Sequence, residues 1–134
     1  MKIKYLDFGA KKQPQRSYFY DAGMDVFLNE DLELQPHETK RIPLGFGLEI
    51  PPTYAGFLIT RSSVSLKGII PAQIAIDSGY TGEINFVVTN GSNEVFKAKA
   101  GDRVCSLIVT PVMIFDWGSE EKSRSAKGFG STGK

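Results

Sequence analysis

Cysteine, histidine and long apolar runs are scarce in this sequence, and each scarcity excludes a class of protein. Cys105 and His37 are the single residues of their kinds, which excludes an internal disulfide and a zinc site of the usual Cys/His spacing. No apolar stretch approaches the roughly 20 residues that cross a bilayer as a helix. The first residues also lack the apolar run of a signal peptide, so we expect a cytoplasmic, reducing setting without membrane attachment.

The sequence also lacks an excess of either positive or negative charge. The chain has 16 basic and 15 acidic residues, for a formal net charge of +1. Such a balance gives no broad positive field, which excludes a nucleic-acid polymer as the expected partner. Any phosphate recognition must therefore be local, within a domain whose 134 residues suffice for one hydrophobic core.

The apolar pattern predicts an all-β domain with at most one short helix. Apolar residues recur with a period near two and are interrupted by Gly and Pro, which is typical of a sandwich or barrel of short strands. The predicted strands are 2–6, 25–28, 39–42, 46–50, 56–60, 83–89, 95–98 and 103–109. A helical turn capped by serines is predicted at 62–66, and a hairpin loop at 90–93.

The chain changes character after Trp117. Residues 112–115 are apolar on successive positions, so we expect both faces to be covered, by the chain's own sheet or by another subunit. Residues 118–134 are mostly small, polar or charged, which predicts a β-domain over 1–117 followed by a flexible C-terminal arm over 118–134. Within the arm, Arg124, a Gly-flanked Phe129 and two hydroxyls at 131 and 132 are suited to binding a phosphate chain.

Three further segments carry possible chemistry. In 74–83, Asp77 ends an apolar run and Tyr80 follows a Ser-Gly turn, which fits either a general base beside a ring or an ordinary hairpin. Arg61 and the serines after it suit a phosphate, or else a helix cap beside a surface arginine. Asp25 is either a site carboxylate or a structural turn residue.

Five segments in this order resemble the five motifs of the trimeric dUTP nucleotidohydrolases, or dUTPases. They are 21–26, 61–68, 76–83, 100–104 and 124–133, and the last contains Gly-Phe-Gly-Ser-Thr-Gly. The resemblance implies a single-domain jelly roll or distorted β-barrel, the β-clip fold. It also implies homotrimers that hydrolyse dUTP to dUMP and diphosphate with Mg²⁺. Their sites lie at subunit interfaces, and we expect the arm at 118–134 to close the site of a neighbouring subunit.

The same resemblance assigns roles to individual residues. It implies that Asp77 activates the attacking water, that Tyr80 stacks on deoxyribose and excludes a 2′-hydroxyl, and that Asp25 contacts Mg²⁺ only through water, the ion being held mainly by the triphosphate. The implied uracil-binding residues are Ala75, Ile76, Asn85 and Phe129, with Gln73 as a substitute for a family asparagine. The implied phosphate-binding residues are Arg61, Ser62, Ser63, Arg124, Ser131 and Thr132.

The sequence departs from the family pattern in several places. Ile74 replaces a common glycine, the segment before Asp77 is short, and Ser106 replaces a common glutamine. Ser125 and Lys127 replace frequent glycines in the arm. A dCTP deaminase is disfavoured, because its catalytic glutamate would fall at Val87. A nucleotide-binding trimeric module that regulates a partner protein is the remaining alternative.

Overall fold

The computed structural model describes residues 1–123, which form short antiparallel strands and one turn of helix. The strands are β1 Lys4–Asp7, β2 Met24–Phe27, β3 Leu32–Leu34, β4 Thr39–Pro43, β5 Phe46–Glu49, β6 Tyr54–Thr60, β7 Ile69–Pro71, β8 Asn85–Asn90, β9 Phe96–Ala98 and β10 Arg103–Pro111. The helix is α1, Ser62–Ser65. The prediction of an all-β domain with one short helix is confirmed. Within the described range, no helix is long and apolar enough to span a membrane.

The strands pair into four small sheets, and two of them position the candidate site. One has the order β2-β10-β6 and the other the order β4-β8-β7, with every pair antiparallel. The remaining sheets are the pairs β1-β5 and β3-β9. Strand β10 pairs with β2 over residues 103–107 and with β6 over residues 105–111, so it ties β2 to β6.

Alternating burial defines the core. Along β8, Phe86, Val88 and Asn90 are buried, whereas the residues between them are half-buried and face the other side of the sheet. Burying a large apolar side chain fully is worth about 1.5–3 kcal/mol. A one-residue slip of β8 would turn its buried side chains to the other face of the sheet, so their burial fixes the register of the strand. Cys105 is buried inside β10, and burial raises the pKa of its thiol to about 12, as expected for a structural cysteine.

Two strands were not predicted from the sequence. β3 is only three residues long, which is too short for its alternation to stand out. β7 ends in Pro71, and proline is tolerated there because β7 is at the edge of its sheet.

The prediction of a hairpin at 90–93 is wrong, because β8 and β9 do not pair with each other. The reason is the buried side chain of Asn90. Its amide donates to the carbonyl oxygens of Leu34 and Glu94, at 3.1 and 2.7 Å. These bonds direct the chain across to β3 instead of back along β8.

Two smaller expectations are also corrected. The serines do not cap α1: its N-cap residue is Arg61, and no side chain makes a capping hydrogen bond. The chain's own sheet does not cover the apolar segment after β10, since Met113, Ile114 and Phe115 are 84, 73 and 67% exposed. Cover by another subunit stays a prediction.

We predict that Asn90→Ala lowers the free energy of unfolding by about 1–3 kcal/mol, because it leaves buried carbonyl groups unpaired. Urea unfolding followed by circular dichroism measures this change. The exposed Asn93→Ala serves as the matched control and is expected to change stability by less than about 0.5 kcal/mol. Equal effects of the two variants would contradict the role assigned to Asn90.

Candidate active site

A tight turn in the loop between β7 and β8 presents Asp77 and Tyr80 together. The amide of Tyr80 donates to the carbonyl oxygen of Asp77 at 3.0 Å, which closes a β-turn with Ser78 and Gly79 at its centre. The Tyr80 hydroxyl then donates to the carbonyl oxygen of Glu83 at 2.5 Å. The ring is thereby held in place although it is 45% exposed.

Two anchors attach this loop to the rest of the protein. Ile76 exchanges a pair of backbone hydrogen bonds with Gly56 of β6, at 2.8 and 2.9 Å. On the other side of the turn, the Glu83 carboxylate accepts a bond from the amide of Gly45 at 2.9 Å. Because both flanks are bonded, Asp77 and Tyr80 project from a fixed support.

A cleft of about 320 Å³ lies against this loop, and we call it the loop cleft. This volume is at the lower end of the range for small-molecule sites. Its lining includes five residues that the sequence singled out: Ala75, Ile76, Asp77, Tyr80 and Asn85. Gln73 does not line it, so the structure does not place Gln73 in the base-reading position proposed for it. The walls are mostly apolar, with Ala72, Ile74, Ile84 and Val87 among them.

A second, more polar cleft of about 560 Å³ surrounds Asp25 and Arg61, and we call it the polar cleft. Four basic side chains line it, against two carboxylates: Lys12, Arg16, Arg61 and Arg103 face Asp25 and Asp102. This excess of positive charge is suited to a polyanion. Ser62 and Ser63 begin α1 directly after Arg61, but they are exposed and do not line the cleft.

Asp25 is held by neighbours on two other segments. Its Oδ2 accepts bonds from the Ser17 hydroxyl at 2.5 Å and from the Arg103 guanidinium at 3.1 Å. The Ser17 bond first, and then Arg103 and the charge of Arg61, lower the pKa of the Asp25 carboxyl. A shift in the register of β10 between Arg103 and Cys105 accompanies this contact.

The residues around Asp25 fit an indirect contact with Mg²⁺. No group of three or more His, Cys, Asp or Glu residues with metal-binding geometry occurs in residues 1–123. Both bonds to Asp25 use Oδ2, so Oδ1 can accept a bond from a water molecule of a hydrated ion. Mg²⁺ keeps several of its waters and often binds proteins through few carboxylates, which agrees with this arrangement.

The two clefts are far apart in one chain. They share no lining residue. Ile76 is bridged to Gly56 near the start of β6, whereas Arg61 follows its end, and from Gly56 to Arg61 a strand spans roughly 16 Å at about 3.3 Å per residue. The bridge is antiparallel, so Asp77 lies farther still from Arg61. A single chain therefore does not bring Asp77 and Arg61 together.

The family is decided by comparison with known proteins. The model of the family described as dUTPase matches residues 10–133. The deoxyuridine 5′-triphosphate nucleotidohydrolase of Solibacter usitatus is 37% identical over 120 residues, covering 85% of this chain and 82% of that protein. The chain belongs to the dUTPase family.

Solved dUTPase structures share the fold. A mutant of the Staphylococcus bacteriophage 80alpha dUTPase with dUpNHpp has a TM-score of 0.83 and 25% identity, covering 99% of both chains. A mutant dUTPase from phage phi11 of S. aureus, described with a structural Mg(II) ion, has a TM-score of 0.82, covering 91% of this chain and 98% of that one. Its 23% identity supports likeness of fold alone.

Two residues of the motif segments hold other site residues in place, and the sequence did not predict this role. Glu83 ends the third motif and anchors the loop, and Arg103 in the fourth motif holds Asp25. A charged residue next to a buried strand was the available signal in both cases. Ser106, the departure in the fourth motif, pairs with Asp25 across the sheet and lines neither cleft. The predicted residues Arg124, Phe129, Ser131 and Thr132 lie outside the described residues.

We predict a pH-dependent contribution of Asp25 to stability. Because its folded-state pKa is lowered, its stabilising effect is complete above the unfolded-state value, about 3.9, and is lost as the pH falls through the folded-state value. Asp25→Asn should therefore be less stable than the native chain from pH 7 to about 4, and the difference should shrink below about pH 4. Urea unfolding across this range, with Asp31→Asn as control, measures it. A difference that stays constant down to pH 3 would contradict the lowered pKa.

Proposed function

We propose that the protein hydrolyses dUTP to dUMP and diphosphate. The observation that carries this proposal is the loop at 72–84, which presents the Asp77 carboxylate and the Tyr80 ring from one turn beside a narrow, mostly apolar cleft. Membership of the dUTPase family supports the same reaction.

In this proposal Asp77 is the general base. Its carboxylate is exposed at the edge of the loop cleft, where it can take a proton from a water molecule that attacks the α-phosphorus in line. The fixed turn orients the carboxylate before substrate arrives, which is the contribution expected of a positioned base.

Tyr80 and the cleft walls select the nucleoside. The ring of Tyr80 is fixed by its bond to Glu83, so it can stack on deoxyribose and leave no space for a 2′-hydroxyl. Ala75, Ile76 and Asn85 line the space for the base. Backbone donors and acceptors along 75–77 are expected to read the hydrogen-bonding pattern of uracil, and close packing of the cleft walls is expected to reject the methyl group of thymine.

The polar cleft is suited to the triphosphate. Arg61 and Arg103 border it, and α1 begins beside Arg61 with Ser62 and Ser63. Asp25 would contact Mg²⁺ through water, and the ion, when bound, would neutralise phosphate charge. Lys12 and Arg16 add positive charge at the same surface.

The distance between the clefts supports a site built from more than one subunit. We propose a homotrimer in which the loop cleft of one subunit adjoins the polar cleft of another, as the resemblance to trimeric dUTPases implies. The apolar segment at 112–115 is exposed in the single chain and is a candidate contact between subunits. We further propose that the arm at 118–134 closes the site through Arg124, Phe129, Ser131 and Thr132, in a cytoplasmic enzyme.

We predict that Asp77→Asn lowers kcat for dUTP by about 10²–10⁴-fold, because it removes the general base. KM should change little, since the amide keeps the size of the carboxylate. Diphosphate release from dUTP, dCTP, dTTP and UTP measures both activity and selectivity, and the native protein should turn over dUTP far better than the other three.

The matched control is Asp7→Asn, an exposed carboxylate on β1 that lines neither cleft and should keep native activity. Native turnover by the Asp77→Asn variant would contradict the assignment of Asp77 as the general base. Release of ammonia from dCTP would instead favour a deaminase, and the absence of any turnover would favour a nucleotide-binding module.

A further inference from the structure

A positively charged side chain, that of Arg41, lines the loop cleft, although Arg41 does not belong to the five segments that resemble the dUTPase motifs. Arg41 is on β4 directly opposite Val87 of β8, on the face of the sheet that also carries Asn85. It lines the cleft together with Asp77 and Tyr80. Within residues 1–123, its guanidinium makes no hydrogen bond or ion pair, so its donors are available to a ligand.

Other polar side chains of the cleft are committed to holding the loop. The Tyr80 hydroxyl and the Asn85 amide both donate to the carbonyl oxygen of Glu83, at 2.5 and 3.2 Å. The Glu83 carboxylate accepts from Gly45. The wall before Asp77 is apolar where it faces the cleft, through Ala72, Ile74, Ala75 and Ile76. Of the described side chains that line the cleft and carry hydrogen-bond donors, Arg41 is therefore the one whose donors are all unengaged.

The course of the loop places Arg41 at one end of the cleft. The amide of Ala72 donates to the carbonyl oxygen of Val87 at 2.9 Å, and Arg41 is opposite Val87. From Ala72 the chain runs on to Ile76, which is bonded to Gly56 of β6, and only then reaches Asp77 and Tyr80, so these two are separated from Arg41 along the cleft. In the proposed function, the sugar and the reacting phosphorus occupy the end near Asp77. C4 is the pyrimidine atom opposite N1, which carries the sugar, so the C4 substituent points towards Arg41.

The chemistry of a guanidinium group then discriminates between two bases. Arginine has five N–H donors and no acceptor. Uracil carries an oxygen acceptor at C4, whereas cytosine carries an amino donor there. We propose that Arg41 is a specificity-determining residue that donates a hydrogen bond to the C4 oxygen of uracil and thereby disfavours cytosine; this inference rests on the proposed function. Thymine has the same oxygen, so its rejection is left to the cleft walls.

The test compares two substitutions of Arg41. Arg41→Gln offers both a donor and an acceptor, so it can pair with either base, and the ratio of kcat/KM for dUTP over dCTP should fall about 10–100-fold. Arg41→Lys remains a donor without an acceptor and should retain most of the selectivity. Diphosphate release gives both rate constants, and the melting temperature shows whether each variant is folded.

The matched control is Lys40→Gln, which removes the same charge from the neighbouring position of β4. Lys40 donates to the carbonyl oxygen of Glu33 and pairs with Glu38, and it does not line the loop cleft. Its selectivity should equal that of the native protein. Unchanged selectivity in a folded Arg41→Gln variant would overturn the proposal, as would a changed oligomeric mass with unchanged selectivity, because Arg41 would then serve a subunit contact.

If the proposed function is wrong, the role of Arg41 can still be tested separately. If the native protein releases no diphosphate from dUTP, calorimetric titration with dUMP and dCMP still measures base preference. A preference for dUMP that Arg41→Gln reduces supports the role of Arg41. The same preference in both proteins, or none in the native protein, overturns it.

Discussion

The pair of backbone hydrogen bonds between Ile76 and Gly56 is the constraint on which the candidate site depends. It holds the loop between β7 and β8 against β6, the edge strand of the sheet β2-β10-β6. A loop of this length would otherwise have many conformations, and the entropy of ordering it would oppose any fixed site. Gly56 has its role for a steric reason, since a Cβ there would lie 3.1–3.4 Å from the side chains of Ile50 and Ile76.

The same bridge explains why one chain does not bring Asp77 and Arg61 together. By attaching the loop near the start of β6, it sets Asp77 and Tyr80 at one end of the strand, while Arg61 follows the other end. The polar cleft beside Arg61 is organised separately, through Ser17, Asp25 and Arg103. Two separate clefts on one chain suit a cyclic oligomer, in which each interface joins unlike surfaces.

The sequence predicted the features that depend on local pattern. Strand alternation located most of the β-strands, and the Ser-Gly turn placed Asp77 beside Tyr80, because turn chemistry acts over four residues. Features that depend on distant contacts were missed. The crossover at Asn90 needs a buried bond to Leu34, and the place of Arg41 in the cleft needs the pairing of β4 with β8. The separation of Asp77 from Arg61 also follows from pairing, which motif order along the chain does not reveal.

The central claim is that a site combines Asp77 of one subunit with Arg61 of another, and mixing two inactive variants tests it most directly. Asp77→Asn and Arg61→Gln chains are prepared separately, unfolded together in equal amounts and refolded, and diphosphate release from dUTP is measured. Random assembly should restore about one quarter of the native activity, because one site in four receives both intact residues. Each variant refolded alone is the control. Activity in the mixture no higher than the mean of the two controls would contradict the shared site.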